Sequence, residues 1–342
     1  MFDIFETLAR LASVHSPAGF ETPVAETIAE LAAPYADEIR TDALGNLIVC
    51  RKANAGNEGS YDPKKVMISA HMDSIGMIVT HVDDNGYIRF SNIGGLAPAV
   101  LLNVPVRFAN GTRGVIAKEG KAEIKELSLG DLYIDIGASS KEEATKKVNI
   151  GDVAVYAAET YMVGEKRVVS PYLDDRIACV VLLMVLESVK ESKNDLYFVF
   201  SAQEEVGTRG SKTAAFGIEP DVGLAVDVTS TGDIPEVDVP MQCSLGKGAA
   251  IKVMDASLIC SPKVVRKLEQ LAKEFDIKYQ FEVLQRGGTD AGSIQLSRSG
   301  AYSGAVSIPT RYIHSPQEMC DLDDVRAAAA LVGLFAANEL DF

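Results

Sequence analysis

Apolar residues recur at helical spacing from the start of the chain. Ile4, Leu8 and Leu11 fall on one face with Phe5 beside them, and that period predicts an amphipathic helix. Pro17, Ala18 and Gly19 break the pattern, and a second helix is predicted near Thr22 to Ala33, with Ile28 and Leu31 on one face. The period then changes. VMISA, from Val66 to Ala70, is a short apolar run bounded by Pro63 and Lys65 and by polar residues, the pattern of a buried strand.

From about Met77 to Gly164 the texture is different. Short β-branched runs (MIVTHV, YIRFS, VPVRFA, RGVIA, DVAVYAA) alternate with glycines, which predicts a small β-rich domain with tight turns, inserted within the chain. After it the rhythm alternates again. Helices are predicted at Ile177 to Val189, Val264 to Phe275, Asp290 to Ser297 and Asp321 to Leu340. Strands are predicted at Leu196 to Ser201, Val222 to Val226, Gln280 to Leu284 and Ala305 to Ile308. Continuous apolar strands between helices imply an α/β fold with a central sheet covered on both faces. The expected division is a discontinuous catalytic domain, residues 1–76 and 165–342, around an insertion at 77–164.

The composition narrows the function. With 342 residues, 47% of them apolar, the chain can bury a large core. The net charge of −15 repels nucleic acid phosphates and anionic lipid, so neither is expected as a partner. The longest apolar run, Ile177 to Leu186, is shorter than the roughly 20 residues a membrane span needs. Asp3 and Glu6 interrupt the first apolar stretch, which argues against a signal peptide. Five widely spaced cysteines with no C-x-x-C fit a reducing compartment. The expected location is the cytoplasm.

Candidate chemistry gathers at the ends of the predicted strands. The chain has only four histidines. His71 directly follows VMISA in SAHMDSIG, and Asp73 stands two residues on, where strand alternation points it the same way. A carboxylate beside a metal-bound histidine fixes its tautomer. In SPYLDDRIACVV, Asp174 and Asp175 precede a buried helix; one aspartate is explained by capping, the second is not. Glu204 and Glu205 follow the apolar strand LYFVFS, and paired carboxylates there are costly unless they meet a cation or share a proton. Asp227 closes VGLAVD, and His314 follows AVSI in SIPTRYIHSP. Taken singly, Asp227 reads as an edge charge and His314 as a loop residue. Together the five segments supply an N/O donor set that suits Zn²⁺, Mn²⁺ or Co²⁺ and disfavours a thiolate site.

These strings resemble the tetrahedral-aminopeptidase family of dinuclear metallopeptidases, which includes glutamyl and deblocking aminopeptidases and members labelled endoglucanases. The resemblance covers essentially the whole chain and rests on HSPAGFE, AHMDSIG, YLDDR, QEEVGTRG, SLGKGAAI, GGTDAGSIQLSR and SIPTRYIHSP. It implies two divalent metal ions per subunit (Zn, Co or Mn), one held by His71 and Asp227, the other by Glu205 and His314, with Asp174 bridging. It further implies Glu204 as general base and Asp73 as the residue that orients His71. The implied fold is a zinc-peptidase-like core interrupted by a barrel-like dimerisation domain. The implied assembly is a homodimer that builds a homododecamer, acting on peptides with a free N-terminus. Ser74, Ala249 and Ser299 depart from residues common in the family, and none of them is a proposed ligand.

Two other readings carry less of the sequence. The same metal pair could serve an amidohydrolase or deacylase acting on acylated amino acids. A catalytically inactive assembly scaffold would be expected to have lost a ligand or the base, and all these positions are filled.

Overall fold

The apolar runs of the sequence become the parallel centre of one large sheet. A computed structural model describes residues 2–55, 61–237 and 241–342. In it Lys65–His71 lies between Asp195–Ser201 and Val222–Thr229, and Val222–Thr229 pairs onward with Tyr302–Arg311, all in parallel. These strands are buried along nearly their whole length, as parallel strands covered on both faces must be.

On one side the sheet continues through Leu47–Arg51 to Glu38–Thr41. On the other it runs through Glu318–Asp321 and Arg167–Ser170 to Tyr161–Val163. Ala249–Met254 and Tyr279–Val283 extend beside Tyr302–Arg311.

Strand alternation sends side chains to both faces. Val66, Ile68 and Phe198 meet the helices Ile4–Ser13, Thr22–Ala32, Leu173–Ser188, Pro262–Glu274 and Leu322–Ala337 in the main core. Met67 and Val199 face the opposite way, towards Arg209–Ile218 and Asp290–Gln295. Every residue from Leu173 to Leu186 is buried. That helix therefore has no solvent face, and its periodicity carries little amphipathic signal.

The glycine-punctuated segment folds separately. Gly76–Val82, Ile88–Ile93, Leu132–Asp135, Arg113–Lys118, Pro105–Phe108 and Val153–Tyr156 close into a barrel, which leaves no open sheet edge. Its own core includes Val79, Ile88, Phe108, Ile116, Ile134 and Tyr156. Tyr161–Val163 pairs with Arg167–Ser170 at the end of the large sheet.

The mixed sheet, the helices on both faces and the barrel are the architecture expected from the sequence. Several elements differ locally. The closing helix starts at Leu322, because Glu318–Asp321 is a strand and the Asp321 side chain caps the helix by accepting from Asp323 N–H. The hairpin Glu38–Thr41/Leu47–Arg51, the strand Ala249–Met254 and the helix Arg209–Ile218 were not anticipated. The helix is weakly marked because Gly210, Ser211 and Gly217 have poor helix propensity. Gly210 serves packing: a Cβ there would lie 2.3 Å from the Ala202 carbonyl oxygen. The five cysteines are all buried and unpaired. Among the described residues no helix is long and apolar enough to cross a membrane.

Candidate metal centre

Parallel strands carry their carboxyl ends to one edge, and in open α/β sheets that edge collects ligands. His71 is the last residue of its strand, Glu204 and Glu205 follow Asp195–Ser201, Asp227 lies near the end of Val222–Thr229, and His314 follows Tyr302–Arg311. Asp174 arrives from another direction, at the start of Leu173–Ser188. There the backbone departs from helical angles and the Asp174–Asp175 peptide is cis.

The side chains converge. Asp174 Oδ1 lies 2.9 Å from His71 Nε2, and its Oδ2 lies 3.3 Å from His314 Nε2. Glu205 Oε2 is also 3.3 Å from His314 Nε2, and Glu204 Oε2 is 3.9 Å from His71 Nε2. Two donor groups result: His71 with Asp174 and Asp227, and Glu205 and His314 with Asp174, the donor atoms of each lying within 4.8 Å of one another. Asp174 belongs to both. All the residues singled out in the sequence are thus brought to one place.

The electrostatics are those of a site built for cations. Burial drives the carboxyls of Glu204 and Asp227 well above the ordinary range, and burial raises Glu205 as well. Burial alone would lower His314, but hydrogen bonds to Asp174 and Glu205 and the charges of both lift it to about 11. His71 is likewise raised against its burial, by Asp174 and Asp73. Glu205 Oε1 is buried with no hydrogen-bond partner, and a buried carboxylate oxygen without a donor is costly. Divalent ions would satisfy that oxygen and balance the crowded carboxylates, so the residues present fit an N/O-ligated metal pair.

Around this set the main chain is held by further carboxylates. Asp73 Oδ1 and Oδ2 accept from the N–H groups of Glu204 and Glu205 at 3.0 and 3.1 Å. Glu21 accepts from Gln203 N–H at 3.1 Å. Three consecutive N–H groups are therefore fixed by two distant carboxylates. Asp73 stands 3.6 Å from His71 Nδ1 through its carboxylate and 3.3 Å through its carbonyl oxygen.

Glu318, fully buried, was not picked out from the sequence. It opens the four-residue strand Glu318–Asp321, four residues after His314, and an acid there carries no local sign of burial. Asp290, read from the sequence only as a helix start, accepts from Ser201 Oγ at 2.6 Å.

The centre opens into a cleft of about 560 Å³, walled by Gly95, Thr229, Leu284, Arg286 and Ile313. A larger cleft of about 720 Å³ lies at the opposite strand ends, around Lys64, Asp221 and Tyr302. It contains neither of the two donor groups, so chemistry rather than size locates the site.

The model of the M42 glutamyl aminopeptidase family matches residues 45–331. The chain belongs to the M42 peptidase family. M42 peptidases are metal-dependent, and membership makes this protein a hydrolase acting as an aminopeptidase. A relative in Acetivibrio thermocellus is 46% identical, covering 96% of this chain and 97% of its own. An aminopeptidase from the archaeon Desulfurococcus kamchatkensis superposes with a TM-score of 0.92 at 39% identity, covering 98% of this chain and 95% of that one. The TET1 peptidase of Pyrococcus horikoshii, described as able to assemble into a tetrahedron or a large octahedral shell, superposes at 0.86 with 31% identity, covering 98% and 100%.

Proposed function

We propose that this M42 peptidase is a dinuclear aminopeptidase that removes the N-terminal residue from peptides. The observation that carries the reading is the sharing of Asp174 between two donor groups. His71 and Asp227 would hold one divalent ion and Glu205 and His314 the other, with Asp174 available to both. The donor set suits Zn²⁺, Co²⁺ or Mn²⁺.

When bound, such a pair polarises the scissile carbonyl and brings the pKa of a water towards neutrality. The protein supplies the rest. Glu204 Oε2 faces the His71 side of the centre and acts as general base, taking the proton of the attacking water and returning it to the leaving nitrogen. A carboxylate placed there can hold the proton between those steps. Asp73 fixes Glu204 and Glu205 through their N–H groups and flanks His71. The free α-ammonium of the substrate is drawn by the acidic side chains lining the cleft.

Residues 1–76 and 165–342 are proposed as the catalytic unit and 77–164 as a dimerisation unit, with homodimers building a homododecamer. The likeness to the self-assembling Pyrococcus horikoshii peptidase supports that assembly. The unpaired buried cysteines support a cytoplasmic location.

The test is a panel of amino-acyl anilides run on metal-stripped protein with Zn²⁺, Co²⁺ or Mn²⁺ restored singly. The expected result is two ions per chain, cleavage of unblocked anilides and none of their acetylated forms. Cleavage of acetylated substrates in preference to free ones would overturn the aminopeptidase reading.

A further inference from the structure

A turn of the barrel reaches the metal centre. It leaves the strand Ile88–Ile93 and places Gly95 in the wall of the cleft. The Asn92 side-chain amide pins it by donating to the Gly94 carbonyl at 2.7 Å.

Its two glycines are needed for different reasons. Gly94 has a φ of 73°, a left-handed conformation that favours glycine. A Cβ there would also lie 2.8 Å from Ile75 Cγ2 and 3.0 Å from Glu205 Oε2. Gly95 is not among the positive-φ residues, so its φ does not by itself call for glycine. What excludes a side chain is His314: a Cβ on Gly95 would sit 2.7 Å from Nδ1 and 2.9 Å from Cε1 of the imidazole, against an ordinary contact of 3.4–4 Å. The ring is held at its polar edge and through its main chain, although 35% of the side chain is exposed. Its Nε2 faces Asp174 and Glu205, and the main-chain N–H of His314 donates to Glu318.

We infer that the inserted barrel completes the metal centre through Gly95, a positioning residue whose bare main chain seats the His314 imidazole and keeps Nε2 directed at Asp174 and Glu205. This rests on His314 being a ligand. The half of the centre containing Glu205 and His314 is therefore walled by the barrel. His71 and Asp227, in contrast, are carried by strands of the large sheet. Disturbing the turn should affect one ion and spare the other.

Calorimetric titration of metal-stripped protein with Zn²⁺ tests this on G95A, with H314A as reference and G120A as control. Gly120 lies in the same inserted segment, without a positive φ and with nothing within 4 Å of a Cβ. Wild type and G120A should bind two ions. G95A and H314A should keep one site and lose about 10–100-fold in the other, the scale seen when a ligand loses its support. Unchanged binding by G95A while H314A loses a site overturns the barrel inference and leaves the dinuclear reading standing. Failure of H314A to lose a site overturns the assignment of His314 as a ligand and the inference with it. A metal-free cycle covers the case in which G95A folds poorly. The drop in Tm caused by G95A should largely vanish in the H314A background, where no ring opposes the new methyl, and an equal drop in both backgrounds refutes the contact.

Discussion

Glu318 holds the main chain of Asp174 in place: its Oε2 accepts from the Asp174 N–H at 2.9 Å, across 144 residues of sequence. Its other oxygen accepts from His314 N–H at 2.7 Å. One buried carboxylate thus anchors Asp174, shared by both donor groups, and His314 of the second group. A glutamine offers a single acceptor oxygen and turns an N–H₂ towards one of those donors. E318Q should therefore lower kcat/KM about 10–100-fold, with weaker metal affinity and retained fold, the magnitude typical of losing a supporting partner. Wild-type metal affinity in E318Q would show the contact to be incidental.

Glu204 has a separable role. E204Q should keep both ions, as read by metal content, while kcat falls about 10²–10⁴-fold, the usual worth of a general acid–base. Full turnover in that variant would remove Glu204 from the chemistry.

The shared carboxylate predicts an asymmetry among ligand variants. D174A should weaken both ions, because both donor groups include Asp174. D227A and H314A should each weaken chiefly one. Zn²⁺ titrations of the three metal-stripped variants decide the matter, and equal loss of both ions in H314A contradicts the division.

Beside the centre, Lys252 is fully buried, with Nζ 2.5 Å from Glu282 Oε1 and 3.5 Å from Asp255 Oδ2. Thr229, two residues beyond Asp227, donates to the same Glu282 oxygen at 2.9 Å. Removing one partner of a buried pair strands the other charge, so K252M should cost roughly 3–5 kcal/mol. The double variant K252M/E282L should recover much of it. Chemical denaturation of the two variants measures the difference, and a smaller loss in K252M than in the double variant would contradict the pairing.

Asp324 predicts a pH effect away from the metal ligands. It accepts from Gly246 and Gly248 N–H, each at 2.7 Å, yet burial lifts its carboxyl from the ordinary 3.8 to about 6. The folded state therefore holds this proton to higher pH than the unfolded chain does. The resulting stabilisation is complete below about pH 4 and is lost as the pH rises through 6. Between pH 4 and 7 the stability of wild type relative to D324N should fall by up to about 3 kcal/mol. Unfolding free energies measured across that range should show a gap that narrows or reverses in this direction; a gap that widens would give Asp324 the opposite sign.

Much of this was legible in one dimension. The runs VMISA, LYFVFS and VGLAV stand out as buried strands because continuous apolar residues between helical periods have few other uses. The barrel showed as a change of texture, since its turns need glycine and its strands need β-branched residues. Glu204 and Glu205 drew notice because charge at the end of a buried strand demands a partner. Glu38–Thr41 escaped because it is short and largely exposed, and Glu318 because an acid opening a four-residue strand looks like any solvated acid.

The sequence by itself determined which donors the chain carries and that most of them sit at or just beyond strand ends, because both follow from residue type and near-neighbour spacing. Only the tertiary structure decided which atoms meet. The parallel order of strands far apart in the chain sets His71 beside Asp174, turns the Asp73 carboxylate to the glutamate loop, and presses Gly95 of the barrel against His314. Such meetings depend on packing summed over the whole molecule, and no local period records them.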